Sequence, residues 1–160
     1  MFVEESAGQY SISGTVSADE VLKLANQLVK ERLAKGQEID SSVAAIAYLQ
    51  KRMAEASREV FSVLFLDSQH RIISLEDMFF GTIAEASVYP REIVAKAIEL
   101  NAGGVILTHN HPSGVPEPSR ADLRITERIK EALALIEIKV LDHVIVGSEG
   151  AVSFANRGLI

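Results

Sequence analysis

One segment in the second half of the chain restricts the fold more than any other. Three of the four prolines lie within residues 110–118, together with Gly114. Because proline lacks a backbone N–H and fixes φ, neither a helix nor an interior strand can continue through such a segment. The run VILTH before it is typical of a buried strand, and apolar residues recur at helical spacing after Ser119. The sequence therefore predicts a strand, a stiff loop and a long helix, in that order.

Segments typical of strands and of helices alternate along the whole chain. Apolar residues at helical spacing predict four helices, which start near Ser17, near Ser41 or Ser42, at Pro90 and at Ser119. Five short runs rich in β-forming residues predict strands, the first two as a hairpin: VFSVLFLD, RIISL, TIAEASVY, VILTH and, as the last strong strand, KVLDHVIVG. We therefore predict a mixed α/β (α+β) fold in which helices flank a central mixed β-sheet.

The first forty residues predict a loose or strand-like arm followed by a helix. Ser17 and Glu20 have the spacing of a capping box, and Gly36 lies where the helix would stop. We expect this helix and the next to pack their apolar faces into a core. Those faces are Val21, Leu22, Leu24, Ala25, Leu28, Val29 and Leu33 in the first helix, and Ala45, Ile46, Leu49 and Met53 in the second.

Composition excludes several classes of protein. The 160 residues suit one domain and include no cysteine, which excludes a cysteine-based zinc finger, an iron–sulfur cluster, a thiol nucleophile and a cysteine-ligated zinc deaminase. A net charge of −6 lacks the basic footprint of most nucleic-acid-binding proteins. No apolar run approaches a membrane helix and no signal peptide is evident, so we expect a cytoplasmic protein without a membrane partner.

Two of the four histidines, His109 and His111, are two residues apart at the end of the predicted strand VILTH. On extended backbone, alternate side chains point to the same face, so these imidazoles can converge while Asn110 turns away. Asp122 follows eleven residues after His111, in the first turn of the predicted helix, and the stiff loop can fold it back over the histidines. Two imidazoles and one carboxylate suit Zn²⁺ and leave its fourth position open to water.

Three other residues near this pattern have two interpretations each. Ser119 can cap the helix, in a box with Asp122, or place its hydroxyl beside the metal to stabilise an oxyanion. His143 lies on a strand between apolar residues; we favour a satisfied structural histidine tied to Asp142 over a position behind a metal ligand. His70 lies in a predicted turn and is expected to be exposed.

The string HNHPSGVPEPSRAD resembles the H-x-H-x7-S-x2-D signature of the JAMM (MPN+, JAB) metalloprotease domain, in the form found in the bacterial RadC family. Other segments are similar to that family in the same order: REVFSVLFLD, GTI, VYPREIV, LDHVIVG and SFANRGLI. The resemblance covers residues 40–160 and implies a JAMM/MPN-type domain with three layers, as in cytidine deaminases. Residues 1–39 form the preceding arm and helix.

This resemblance implies a role for each matching residue. His109, His111 and Asp122 match the ligands of one Zn²⁺ per chain, and Ser119 matches the serine that polarises the substrate carbonyl. Glu59 matches the glutamate that acts as general acid and base, although the residues alone do not distinguish it from the other candidates, Glu76, Glu85, Glu92 and Glu117. The implied activity is zinc-dependent hydrolysis of amide or isopeptide bonds in a peptide or protein.

Two departures from the family pattern keep alternatives open. We find no N-terminal helix-hairpin-helix segment, which longer RadC proteins carry, and Val115 stands where an acidic or polar loop residue is expected. The alternatives are a DNA-repair-associated or nucleic-acid-processing accessory protein and a non-catalytic interaction module. Salt-dependent DNA binding would favour the first of these.

Overall fold

The computed structural model describes residues 2–6, 9–32, 36, 38–53, 56–83 and 88–160. The chain forms two compact units, Met1–Arg32 and Leu33–Ile160. Together the described residues contain four helices, a two-stranded sheet and a five-stranded mixed sheet. The predicted mixed α/β fold is therefore confirmed.

The first unit contains the antiparallel strands β1 (Phe2–Ser6) and β2 (Gln9–Ile12), followed by helix α1 (Ala18–Arg32). The predicted capping box is present, because Ser17 N donates to the Glu20 carboxylate at 2.8 Å and Glu20 N donates to Ser17 Oγ at 3.3 Å. In the described part of the chain after α1, Gly36 adopts a φ of +101° in a turn, as its predicted helix-stop role suggests.

Within the first unit, the described side chains of α1 do not form the expected apolar core. Val21 and Leu22 are 46% and 48% exposed, and no described side chain of α1 is buried. A short hairpin and one helix have too little surface to enclose an apolar face. The predicted face also includes Val29 and Leu33, whose side chains lie outside the described residues.

The described residues of the second unit form three helices and five strands. Its sheet has the order β4-β3-β5-β6-β7, in which only β5 and β6 pair in parallel. The elements in chain order are α2 (Ser42–Met53), β3 (Val60–Leu66), β4 (Ile72–Phe80), α3 (Pro90–Glu99), β5 (Gly104–Asn110), α4 (Arg120–Ala134), β6 (Lys139–Gly147) and β7 (Gly150–Ser153).

Most of the predicted elements of this unit are confirmed, with two differences. The strand β7 follows β6 after a short turn, so the predicted final strand is not the last. The predicted strand TIAEASVY falls partly on residues 84–87, outside the described residues, and the described residues on either side of them are not in a strand. Helix α2 starts after Ser41, whose Oγ accepts from Ala44 N at 3.2 Å, and it buries Tyr48 in addition to the predicted Ala45, Leu49 and Met53.

The sheet separates two helical layers and places the core on both of its faces. All seven residues of β5 are buried. Odd-numbered residues of β3 and β5 pack with α3 and α4 in one cluster, whereas α2 packs against β5, β6 and β7. The implied three-layer arrangement is therefore present. No helix in the described part of the chain is long and apolar enough to cross a membrane.

Candidate metal centre

The end of β5 brings the two histidines of the pair together. His109 lies on the α4 side of the sheet, is fully buried and stacks on Phe61 with ring centroids 5.9 Å apart. His111 follows directly after the strand and is half-buried. The two Nε2 atoms are 3.0 Å apart. The predicted convergence of alternate side chains thus occurs at this strand end.

The first turn of α4 brings Asp122 to the same point. Its Oδ1 lies 3.2 Å from His109 Nε2, and its Oδ2 lies 3.4 Å from His111 Nε2. Four-coordinate zinc has bonds of about 2.0–2.1 Å to nitrogen and oxygen, so ligand atoms at its tetrahedral edges are about 3.3 Å apart. The spacing of these three groups fits a single ion of that size.

Ser119 begins α4 and forms the predicted capping box with Asp122. The Ser119 Oγ accepts from Asp122 N at 3.1 Å, and Ser119 N donates to Asp122 Oδ2 at 2.7 Å. The bond from Ser119 N holds the Asp122 carboxylate so that its Oδ1 faces His109. Ser119 itself is exposed, and its hydroxyl hydrogen remains available after the oxygen has accepted one bond. The structural interpretation of Ser119 is confirmed, and its proposed role toward an oxyanion is compatible with it.

Two glycines let the proline-rich loop lie against the end of β6. Gly114 adopts a φ of +92°, and its carbonyl accepts from Glu149 N at 3.0 Å. A Cβ atom on Gly147 would collide with that same carbonyl. The loop then returns to the site, where the Val115 carbonyl accepts from His111 Nδ1–H at 2.9 Å. Since Val115 orients His111 through its backbone, the departure at this position leaves the orientation of the imidazole intact.

Glu59 is half-buried and lies directly before β3. In the sequence it precedes the histidine pair, whereas Asp122 follows it. Among the described residues, Glu59, His109 and His111 form a group whose donor atoms lie within 4.8 Å of one another and can hold a metal ion. The Asp122 oxygens are closer to the imidazoles than that limit, at 3.2 and 3.4 Å. The site therefore brings two carboxylates, those of Asp122 and Glu59, to the same pair of imidazoles.

Asn110 holds the backbone on both sides of Glu59. Its Oδ1 accepts from Val60 N at 2.7 Å, and its Nδ2 donates to the Arg58 carbonyl at 2.9 Å. The residue between the two histidines therefore turns to the opposite face of the sheet, as predicted, and connects β5 to the segment that carries Glu59. Of the other candidate glutamates, Glu117 pairs with Arg157 at 2.8 Å on the surface, and Glu85 lies outside the described residues.

The charges in the site stabilise one another. Burial alone would raise the pKa of the Asp122 carboxyl, but hydrogen bonds to His109 and His111 hold this pKa far below its usual range. The hydrogen bond to the Asp122 carboxylate raises the pKa of His111 above its ordinary value. Burial in the core lowers the pKa of His143 well below its ordinary value, so its ring is neutral.

The favoured interpretation of His143 as a satisfied structural residue agrees with its burial, and its link to Asp142 runs through the backbone. The Asp142 carboxylate accepts from the backbone N–H of His143 at 2.7 Å and from Ser153 Oγ at 2.6 Å. The His143 ring contacts His109 Nδ1 at 2.8 Å and Thr126 Oγ1 at 2.6 Å. His143 therefore lies behind a candidate ligand, which was the alternative interpretation.

The two remaining residues are His70, whose exposure the sequence predicts, and Thr126, for which the sequence predicts no role. His70 is exposed in the turn between β3 and β4, as predicted, with a φ of +59°. Thr126 was not predicted as part of the site. Its only signal in the sequence is its position four residues after Asp122, which places both residues on one face of α4.

This chain is similar to known proteins over most of its length. A family model described as RadC-like JAB domain matches residues 39–159. UPF0758 proteins from Methylibium petroleiphilum and Leptothrix cholodnii are each 52% identical over 140 residues, which is 88% of this chain but 63% of each relative. A UPF0758 protein from Vibrio cholerae is 47% identical over 150 residues, 94% of either chain. The chain thus spans less than two thirds of the length of the first two relatives.

Proposed function

Because the chain belongs to the RadC-like JAB domain family, we propose that it is a zinc-dependent hydrolase of amide or isopeptide bonds in a peptide or protein substrate. One observation carries the proposal: two imidazole nitrogens and a buried carboxylate meet with separations of 3.0, 3.2 and 3.4 Å. We propose His109, His111 and Asp122 as the ligands of one Zn²⁺ per chain. When bound, zinc would lower the pKa of a coordinated water to about 7 and polarise the substrate carbonyl.

Glu59 is proposed as the general acid and base. One of its carboxylate oxygens lies within 4.8 Å of a ring nitrogen of each histidine, close enough to contact a water held at the same point. There Glu59 accepts a proton from the attacking water and then delivers it to the nitrogen of the leaving amine. The two hydrogen bonds between Asn110 and the backbone on either side of Glu59 support this role, because a general base has to be held within hydrogen-bond reach of the proton it accepts.

Ser119 is proposed to stabilise the developing oxyanion. Its oxygen already accepts from Asp122 N, so the hydroxyl can act toward a substrate only as a donor. The bond also fixes the position of the oxygen at the start of α4, next to the carboxylate of Asp122. A donor that is positioned before the reaction costs no reorganisation in the transition state.

The first test is the metal content of protein purified without chelators, by elemental analysis. We expect about one zinc per wild-type chain and strongly reduced zinc in Asp122→Ala and in the His109→Ala/His111→Ala double variant. Wild-type protein that binds no zinc even after zinc is added would contradict the proposal.

The second test is hydrolysis of a panel of peptides and isopeptide-linked peptides. We expect Glu59→Gln to retain zinc but to lose turnover by about 10²–10⁴-fold, since the amide can no longer accept the proton. A protein that binds zinc and cleaves no member of a broad panel would favour the non-catalytic interaction module instead.

A further inference from the structure

We propose that Thr126 and His143 are positioning residues that determine which ring nitrogen of His109 carries its hydrogen, and so keep His109 Nε2 free to bind a metal. The inference rests on the proposed function, because a free Nε2 matters at this point only for a metal ligand. It is carried by three short contacts among buried residues, which link the backbone of Asp122 to the ring of His109.

The first contact fixes the hydroxyl of Thr126. Its Oγ1 lies 2.6 Å from the backbone carbonyl of Asp122. A carbonyl can only accept, so the hydroxyl hydrogen of Thr126 must lie in this contact. Thr126 is 3% exposed, which leaves its hydroxyl little access to solvent as an alternative partner.

The second contact then fixes the ring of His143. Thr126 Oγ1 lies 2.6 Å from His143 Nδ1 and has already used its one hydrogen on Asp122. The hydrogen between these two atoms therefore belongs to His143 Nδ1. His143 has no solvent exposure and is enclosed by Phe61 and Phe154, with ring centroids 5.6 and 4.6 Å away, so its ring is neutral and its Nε2 carries a lone pair.

The third contact transfers this constraint to the candidate ligand. His143 Nε2 lies 2.8 Å from His109 Nδ1, and because Nε2 can only accept, His109 Nδ1 carries the hydrogen. With Nδ1 holding its hydrogen, Nε2 is the ring nitrogen that has a lone pair whenever the His109 ring is neutral, and Nε2 donates to the Asp122 carboxylate only when the ring is protonated. A second partner that fixes the tautomer in this way is a general property of histidine ligands in metal sites.

The three contacts form a chain that joins two candidate ligands from different elements, His109 and Asp122. His109 comes from β5, His143 from β6, and Thr126 and Asp122 from α4. The other imidazole, His111, is oriented independently by the carbonyl of Val115. A change at Thr126 should therefore alter His109 and leave the orientation of His111 unchanged.

The test combines imidazole NMR with zinc titration. Long-range ¹H–¹⁵N spectra of zinc-free wild-type protein, at an alkaline pH where free imidazoles are neutral, report which nitrogen of each ring carries hydrogen. We expect Nδ1–H on both His109 and His143. In Thr126→Val, which is similar in volume but has no hydroxyl, we expect a mixture of tautomers at both rings and a zinc dissociation constant raised about 10–100-fold. Thr126→Ser keeps the hydroxyl and should retain the wild-type tautomers and affinity.

The outcomes separate the inference from the function on which it rests. An Nε2–H tautomer at His109 or His143 in the wild type would overturn the inference, and this measurement needs no variant to fold. Equal zinc affinities of Thr126→Val and Thr126→Ser would overturn it as well. Wild-type protein with the expected tautomers that binds no zinc would instead contradict the proposed function while leaving the three-contact chain established.

Discussion

At the scale of single residues, polar side chains at the candidate centre each contact two partners, and these paired contacts set the geometry of the site. The Asp122 carboxylate accepts from Ser119 N through Oδ2 and faces His109 through Oδ1. The Asn110 amide accepts on one side of Glu59 and donates on the other. Ser119 combines a helix cap with a free hydroxyl hydrogen, so its structural and chemical roles can be separated only by substitution.

Ser119→Ala and Ser119→Gly separate those two roles. Alanine removes the cap and should lower the free energy of unfolding by about 1 kcal/mol, whereas glycine at an N-cap costs only a few tenths. Both variants lack the hydroxyl, so we expect both to lose turnover to a similar extent, about 10²-fold. Urea unfolding and the peptide-hydrolysis assay measure the two quantities. If Ser119→Gly kept full turnover, the hydroxyl would have no role toward the substrate.

At the scale of elements, the centre is assembled by one strand, one loop and one helix. The strand β5 presents the histidines, and α4 presents Asp122, but the loop between them decides whether they meet. Two backbone hydrogen bonds hold that loop against the end of β6. The Gly114 carbonyl accepts from Glu149 N in the turn after β6, and the backbone N–H of His111 donates to the Val146 carbonyl at 2.8 Å. The close approach is possible because Gly147 has no side chain.

Gly147→Ala tests this dependence on the loop. The added methyl would collide with the backbone carbonyl of Gly114, so we expect a loss of about 1–3 kcal/mol in the free energy of unfolding together with weaker zinc binding. Gly104→Ala is the matched control, because a methyl there comes closest to the flexible side chain of Leu141, at 3.3 Å, and meets the Lys139 carbonyl at an ordinary contact distance of 3.5 Å. Urea unfolding and zinc titration of both variants give the comparison. Equal effects of the two substitutions would contradict the proposed importance of the Gly114–Gly147 approach.

At the scale of the second unit, the candidate centre lies between the sheet and α4, where polar groups are buried with the core. His143 and Asp122 are almost without solvent exposure, and the folded state lowers the pKa of both relative to the ordinary values. The stability of the metal-free protein should therefore depend on pH in a way that can be assigned to particular residues.

We expect the free energy of unfolding of zinc-free protein to fall as the pH drops from about 6.5 to about 5. Burial lowers the pKa of His143, so below about pH 6.5 the unfolded chain binds a proton there that the folded state does not. One such proton gives a slope of at most about 1.4 kcal/mol per pH unit. The raised pKa of His111 does not oppose this slope, because its stabilisation is complete below about pH 6.5 and is lost only as the pH rises.

Urea unfolding at a series of pH values measures this dependence, with His143→Gln as the comparison. The variant has no titrating ring at this position, and its slope between about pH 6.5 and 5 should be smaller than that of the wild type. Below about pH 4 the lowered pKa of Asp122 adds a further loss in both proteins. A wild-type stability that is constant or rises between pH 6.5 and 5 would contradict the burial of a neutral His143.

The sequence by itself determined those features that depend on neighbours in the chain. The spacing of His109 and His111 on a strand, the capping box of Ser119 and Asp122, and the loop that proline requires are all local, and each is present in the structure. Glu59 was identified only through the family resemblance, since nothing local distinguishes it from other glutamates. Glu59 reaches the site only through the antiparallel register of β3 and β5. This register pairs Phe61 with His109, which is 48 residues later in the chain, and so brings the start of β3 beside the end of β5.

Only the tertiary structure decided what lies behind and around those local patterns. The contacts of His143 with His109 and Thr126 join three elements that are far apart in the chain, and hydrogen-bond partners of a buried ring cannot be read from its apolar neighbours in sequence. The apolar periodicity of α1 likewise shows which face is apolar but not whether another surface covers it. Local propensity and periodicity are properties of a segment, whereas burial and partner choice depend on which other segments fold against it.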